Sequence, residues 1–210
     1  MAIHAKLSPS SAHRWLNCPG SVKAEEGLVD KGSANALEGS AAHELAELVL
    51  SQGGRCFDWE GKQLIEYNEF TVEREMASNV QEYVDYVRGL GGEQRYEVGL
   101  DYSQWVNDGF GTSDAIALVG KTLYVVDLKY GKGLQVFAEK NEQGMLYALG
   151  VLNEYSFADI EKVVIVIVQP RLDHIDEWET TPEELFKWGE WVSQRAEMCE
   201  DDNAERVPGD

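Results

Sequence analysis

Apolar positions recur along this chain at two periods, and the change from one to the other organises it. Leu37, Ala41, Leu45, Leu48 and Val49 share one face at helical spacing, so a helix is predicted over Leu37 to Ser51, stopped by Gly53-Gly54. A second is predicted from about Glu69 to Arg88, striped by Val72, Met76, Val80, Tyr83, Val84 and Val87 and followed by Gly89. Ahead of them, Ser8 to Pro19 reads as a short helix with Ser8 as N-cap, Pro9 in the first turn and Pro19 as terminator. A glycine- and charge-rich connector then runs to about Gly32. Further on the period shortens to two. Tyr96 to Leu100, Thr112 to Val119 and Leu123 to Leu128 read as strands, the last two joined at Gly120-Lys121. Glu139 to Leu152 returns to helix, and Val163 to Val168 is a continuous β-branched run, as expected of an interior parallel strand buried on both faces. Thr181-Pro-Glu-Glu184 opens a final helix ending near Cys199.

The expected fold class is therefore α/β, a small central mixed sheet flanked by helices, with an N-terminal helical segment and a C-terminal helix. A single domain is expected, mainly helical over 1–92, with an α/β core over 93–170 and a helix and acidic tail over 171–210. The length of 210 residues suits one domain, and 43% hydrophobic with 27% charged residues argues against disorder, collagen or coiled coil. The longest apolar run, Val163 to Val168, is far short of the roughly 20 residues a membrane span needs. No apolar segment of signal-peptide length follows Met1 to Lys6, and the three cysteines are odd in number and widely spaced. A cytoplasmic protein in a reducing compartment, away from membranes, is the expectation.

Charge changes the picture. The net −20 argues against nucleic acid as a partner, but its distribution is uneven. Leu172 to Asp210 holds 13 acids against 3 basic residues, half the excess, whereas Lys121 to Lys140 holds four lysines against two acids. An anionic ligand is expected at the second segment, with the acidic region facing away from it.

That segment also carries the sharpest chemistry. Two hairpin-linked strands would set Asp114 and Asp127 side by side, and Lys129, two residues beyond Asp127, would share its face. Two carboxylates beside an ammonium suit a magnesium site acting on a phosphodiester. Gln143 and Tyr147 fall on one face of the next helix, where they could address a substrate together. The acid-x-Lys pattern alone means little, because about two copies are expected by chance. The chain has two, Glu60-Gly-Lys62 and Asp127-Leu-Lys129. Strand-end charges at a solvated edge remain an alternative for the second. His43, from its residues alone, reads as a helix histidine paired with Glu47 at i+4, and Glu97 either as a solvated strand acid or as a residue supporting the site from the preceding strand.

Gly111-Thr-Ser-Asp114, then Asp127-Leu-Lys129, then Gln143-xxx-Tyr147 resembles the PD-(D/E)XK nuclease superfamily, especially its RecB-like branch and a bacteriophage family of nuclease-like proteins. Gly39-Ser-Ala-Ala-His43-Glu44 is similar to the branch's helical histidine motif, and Ser8 to Pro19 to its serine-rich start ending in Cys-Pro. Gln169-Pro-Arg-Leu-Asp173 and Glu177-Trp-Glu179 resemble the phage family, so the likeness spans about 180 residues in order.

The resemblance implies a restriction-endonuclease-like core. It implies His43, Asp114, Asp127 and the backbone carbonyl of Leu128 as ligands for Mg²⁺ or Mn²⁺, and Lys129 as the catalytic lysine. Gln143 and Tyr147 would match the helix motif that supports the site and touches DNA, while Lys132 and Lys140 are expected to contact substrate because of the local charge balance and not from the resemblance. The implied function is metal-dependent DNA hydrolysis, as an exonuclease in phage recombination, repair or replication, in the host cytoplasm. A phage recombination or single-strand-binding protein is an admissible partner, as is a homo-oligomer. The different reading is a catalytically silent nuclease-like protein that binds DNA ends or serves as a scaffold. Relatives with the early Cys-Pro hold an iron-sulfur cluster with three further cysteines. Only Cys56 and Cys199 accompany Cys18 here, so no cluster is expected, and Cys18 is expected to be a buried thiol. Trp188 and Trp191 are expected to pack in the core rather than stack on bases.

Overall fold

The computed structural model describes residues 5–28, 34–67, 70–155 and 158–207. After a 3-10 turn at Pro9–Ser11 come α1 (Ala12–Asn17) and α2 (Ser21–Ala24), then α3 (Ala34–Gln52) and α4 (Arg74–Leu90). Strands β1 (Glu93–Asp101), β2 (Phe110–Val119) and β3 (Thr122–Leu128) follow, then α5 (Glu142–Glu154), β4 (Lys162–Gln169), β5 (His174–Thr180) and α6 (Pro182–Glu200). The strands form one mixed sheet in sequential order, antiparallel except for β3 and β4, which run parallel because α5 crosses between them.

The β-branched run of β4 explains the layering. Val163, Ile165 and Ile167 join the core shared with α1, α5 and α6, while Val164, Val166 and Val168 join that shared with α3 and α4. Each is at most 1% exposed, and each such side chain contributes about 1.5–3 kcal/mol on burial. Gly144 lets α5 lie close on this strand, since a Cβ there would come within 2.5 Å of Ile165 Cγ2. Asn141 caps α5 by accepting the Gly144 N–H at 3.0 Å, and Thr181 caps α6 by accepting the Glu184 N–H at 3.3 Å.

The structure departs from the sequence reading in several places. Ser8 does not cap with its side chain, which bonds Ser11 Oγ at 2.9 Å; its carbonyl accepts the Trp15 indole N–H instead. The connector contains α2. Cys18 is half-buried rather than buried, its sulfur accepting the Val207 N–H at 3.2 Å. Trp188 packs against the core, whereas Trp191 is exposed beneath Arg195.

The strand β5 was hidden because its pattern is inverted: His174, Asp176 and Trp178 turn inward, while Ile175, Glu177 and Glu179 face solvent. Asp176 tolerates that position by accepting the Ala138 N–H at 2.7 Å. The acidic region therefore does not wholly face away from the lysine-bearing segment. No helix among the described residues is long and apolar enough to cross a membrane.

Candidate active site

The ladder between β2 and β3 ends at Ala115 opposite Val126, so Asp114 and Asp127 are the next opposed positions. There the side chain takes over from the backbone, and Asp114 Oδ2 accepts the Leu128 N–H at 2.7 Å. On the other side of β2 the ladder pairs Tyr96 with Ala115 and Val98 with Ser113 but omits the pair between them, Glu97 and Asp114. Glu97 takes a left-handed backbone there, with φ 47°. Glu97, Asp114 and Asp127 thus form one row of acids across three adjacent strands.

From above, α3 brings His43 Nδ1 to 3.2 Å from Asp114 Oδ1, so the histidine pairs with Asp114 and not with Glu47 as its helix spacing suggests. One ligand atom each from His43, Glu97 and Asp114 lies within 4.8 Å of the others, and these three could hold a metal ion. Glu97 stands in the ligand group itself and not merely behind it, as its place on the strand before Asp114 admitted; the sequence carries no sign of the left-handed backbone it takes there. The group opens on a cleft of about 210 Å³ whose walls include Glu44, Glu47, Glu66 and Tyr67. Glu44 is structural: its buried carboxylate accepts the N–H groups of Ile65, Glu66 and Tyr67 at 2.6–3.1 Å and fastens that loop over His43.

Asp127 is 3% exposed, which rules out the solvated strand-edge reading. Lys129 Nζ lies 2.9 Å from its Oδ2 and donates to its Oδ1 at 3.2 Å, leaving Oδ2 ion-paired but without a hydrogen bond. The same ammonium donates to Gln143 Oε1 at 2.8 Å, and Gln143 Nε2 donates to the Tyr147 hydroxyl at 3.4 Å. Tyr147 is buried, and Gly111 gives it room: a Cβ there would meet Pro9 Cγ at 2.7 Å and Tyr147 Cε1 at 3.0 Å. Lys132 and Lys140 stay on the surface of the loop between Lys129 and α5, outside this network.

Electrostatics bind these groups together. Burial disfavours a charged His43, but the charge and hydrogen bond of Asp114, with Asp127 and Glu97 beyond, outweigh it and lift its pKa to about 9. Burial, then the charge of Asp114, pushes Glu97 up to about 7. Asp114 is itself held below the usual carboxylate range: His43, the Leu128 N–H and Lys129 overcome its burial. Burial raises Asp127 against the pull of Lys129. The Lys129 ammonium is retained because Asp127 and Asp114 overcome the cost of burying it.

A cation fits this donor set. Oxygen and imidazole ligands converge, and the buried polar atoms without hydrogen-bond partners include Asp127 Oδ2 and the hydroxyl of Tyr83, which feels the charges of Asp114, Asp127 and Glu97.

Residues 4–210 match the family DUF2800, described as proteins of unknown function. The chain belongs to the DUF2800 family. This DUF2800 chain is also similar to SSO0001, whose crystal structure is 14% identical, with 87% of this chain and 85% of that chain covered and a TM-score of 0.31. A phage-related exonuclease from Haemophilus somnus 129PT is 15% identical, with 94% of each chain covered and a TM-score of 0.35.

Proposed function

We propose that this protein is a metal-dependent deoxyribonuclease of the PD-(D/E)XK type, in its RecB-like branch, acting as an exonuclease in phage DNA recombination, repair or replication. The observation that carries the reading is the chain from buried Asp127 through half-buried Lys129 to Gln143, set beside the His43–Glu97–Asp114 group. A surface charge cluster has no use for an ammonium held between a buried carboxylate and a half-buried amide. The ordered resemblance over about 180 residues supports the same reading.

His43, Asp114, Asp127 and the Leu128 carbonyl would hold Mg²⁺ or Mn²⁺, with Glu97 as a further carboxylate; the imidazole favours tolerance of Mn²⁺. Held there, such an ion would supply Lewis-acid polarisation of a phosphodiester and a lowered pKa for water. Lys129 offsets charge developing on the phosphate and positions the attacking water. Gln143 holds that ammonium in place, and Tyr147 holds Gln143. Lys132 and Lys140 neutralise phosphates of the bound strand.

Incubation with end-labelled linear DNA and closed circular DNA, in Mg²⁺, Mn²⁺ or EDTA, tests this. Linear DNA should be degraded from its ends with either metal, circular DNA spared, and EDTA should stop the reaction. Intact linear DNA in both metals would overturn the proposal.

A further inference from the structure

We infer that the loop between Lys129 and α5 is a stacking platform for unpaired bases, so that the polymer reaching the site does so as a single strand. The inference rests on the nucleic-acid reading of the site and specifies the form of its substrate. Leu134 is 89% exposed and Phe137 58% exposed, an apolar pair displayed on a loop that begins at Lys129 and ends beside Gln143.

Such side chains would ordinarily fold inward if the loop were free to move. This loop is not free. Buried Gln169 accepts the Val136 N–H at 3.0 Å and donates to the carbonyls of Gly131 and Leu134, both at 2.9 Å. Asp176 accepts the Ala138 N–H, and His174 bonds both Gln135 and the Val136 carbonyl. The Phe137 ring meets His174 edge-on, with centroids 5.5 Å apart, which fixes its orientation. Six hydrogen bonds and one ring contact therefore hold an irregular segment in a shape that keeps two apolar groups in water.

Charge selects the occupant. In a chain of net charge −20, this loop carries exposed Lys132 and Lys140 around Leu134 and Phe137 and starts at the ammonium of Lys129. Lysines flanking two exposed apolar faces, with Glu139 the one acid among them, complement a strand with phosphates on one side and unpaired bases on the other. A closed duplex offers the phosphates but hides the base faces.

Anisotropy with fluorescein-labelled oligo-dT, in EDTA so that nothing is cleaved, tests the platform. Phe137→Ala should weaken binding roughly tenfold, because stacking is worth about 1–3 kcal/mol per base. Leu134→Ala should cost less, Phe137→Trp should restore affinity, and blunt duplex binding should not respond to any of them. An abasic oligomer of equal length should bind wild type as weakly as oligo-dT binds Phe137→Ala. Unchanged oligo-dT binding by Phe137→Ala, or equal affinity for the abasic oligomer, would overturn the inference. So would a change of oligomeric state in Phe137→Ala with DNA binding intact, which would assign the loop to self-association. Base-dependent binding without cleavage in Mg²⁺ or Mn²⁺ would instead refute the nuclease reading and leave the platform standing.

Discussion

Glu97 stands opposite Asp114 where the β1–β2 ladder lapses, in a left-handed backbone that glycine adopts far more readily than glutamate. A position that sacrifices both ladder pairing and backbone ease in order to direct a carboxylate at His43 and Asp114 is expected to trade stability for ligand binding. Glu97→Gly should therefore raise the urea midpoint, by roughly 1 kcal/mol in stability, and should exceed Glu97→Gln, which keeps the strain. Both variants should bind Mn²⁺ several-fold more weakly by calorimetry. A Glu97→Gly protein less stable than Glu97→Gln would remove the strain argument.

Asp114, Asp127 and Lys129 are expected to act as one unit. Asp114→Ala or Lys129→Ala alone should lower turnover by orders of magnitude with the fold retained, and the double variant should be little worse than either, as for groups serving one transition state. Glu60→Ala and Lys62→Ala should leave turnover unaltered. Glu60 reaches the exposed Arg74 at 3.5 Å, and Lys62 sits over the Trp59 ring, remote in role from any carboxylate pair. Additive losses across the first set, measured by single-turnover cleavage, would contradict the shared role.

The metal-free protein should lose stability as pH rises. His43 and Glu97 both have raised folded pKa values, so their contributions are fully present below the ordinary values of 6.5 and 4.5 and are lost as pH climbs through about 9 and about 7. Thermal melts in EDTA should show a falling Tm over this range. His43→Asn should flatten the limb between 6.5 and 9, and Mn²⁺ should restore stability to wild type at the alkaline end by binding the folded state. A Tm that rises with pH in EDTA would show that the site is not an acid-rich cluster stabilised by a charged histidine.

Lys132 and Lys140 should govern the electrostatic part of DNA binding. Each Lys→Ala variant should reduce the slope of log K against log salt by roughly 0.7–0.9 and leave Mn²⁺ affinity unchanged, since neither touches the ligand group. Unaltered slopes in both variants would place the phosphate path elsewhere on the surface.

Much of the architecture was legible because single residues dominated local choices: the β-branched run of β4, the Gly53-Gly54 stop, and the Thr181-Pro182 start of α6 all appear where the sequence sets them. What escaped was set by long-range partners. The inward Asp176 of β5 is stable only because the Ala138 N–H meets it, and the pairing of His43 with Asp114 joins residues 71 positions apart, a contact that helix periodicity cannot encode. Glu97 was open to two readings, solvated or supporting the site, and the left-handed backbone it takes beside Asp114 is a feature for which a non-glycine residue carries no signal. The Asp127–Lys129 pair stood out from its chance copy at Glu60–Lys62 by its hairpin partner Asp114 and by the family resemblance, and burial of Asp127 removes the solvated-edge alternative that the pattern left open.

The most direct test of the central claim compares wild type with Asp127→Ala on end-labelled linear DNA in Mn²⁺ and in EDTA, alongside melts that establish both are folded. Shortening of the label by wild type only in Mn²⁺, reduced by orders of magnitude in Asp127→Ala, is the result the account predicts. Equal cleavage by the two proteins, or cleavage by wild type that persists in EDTA, would contradict it.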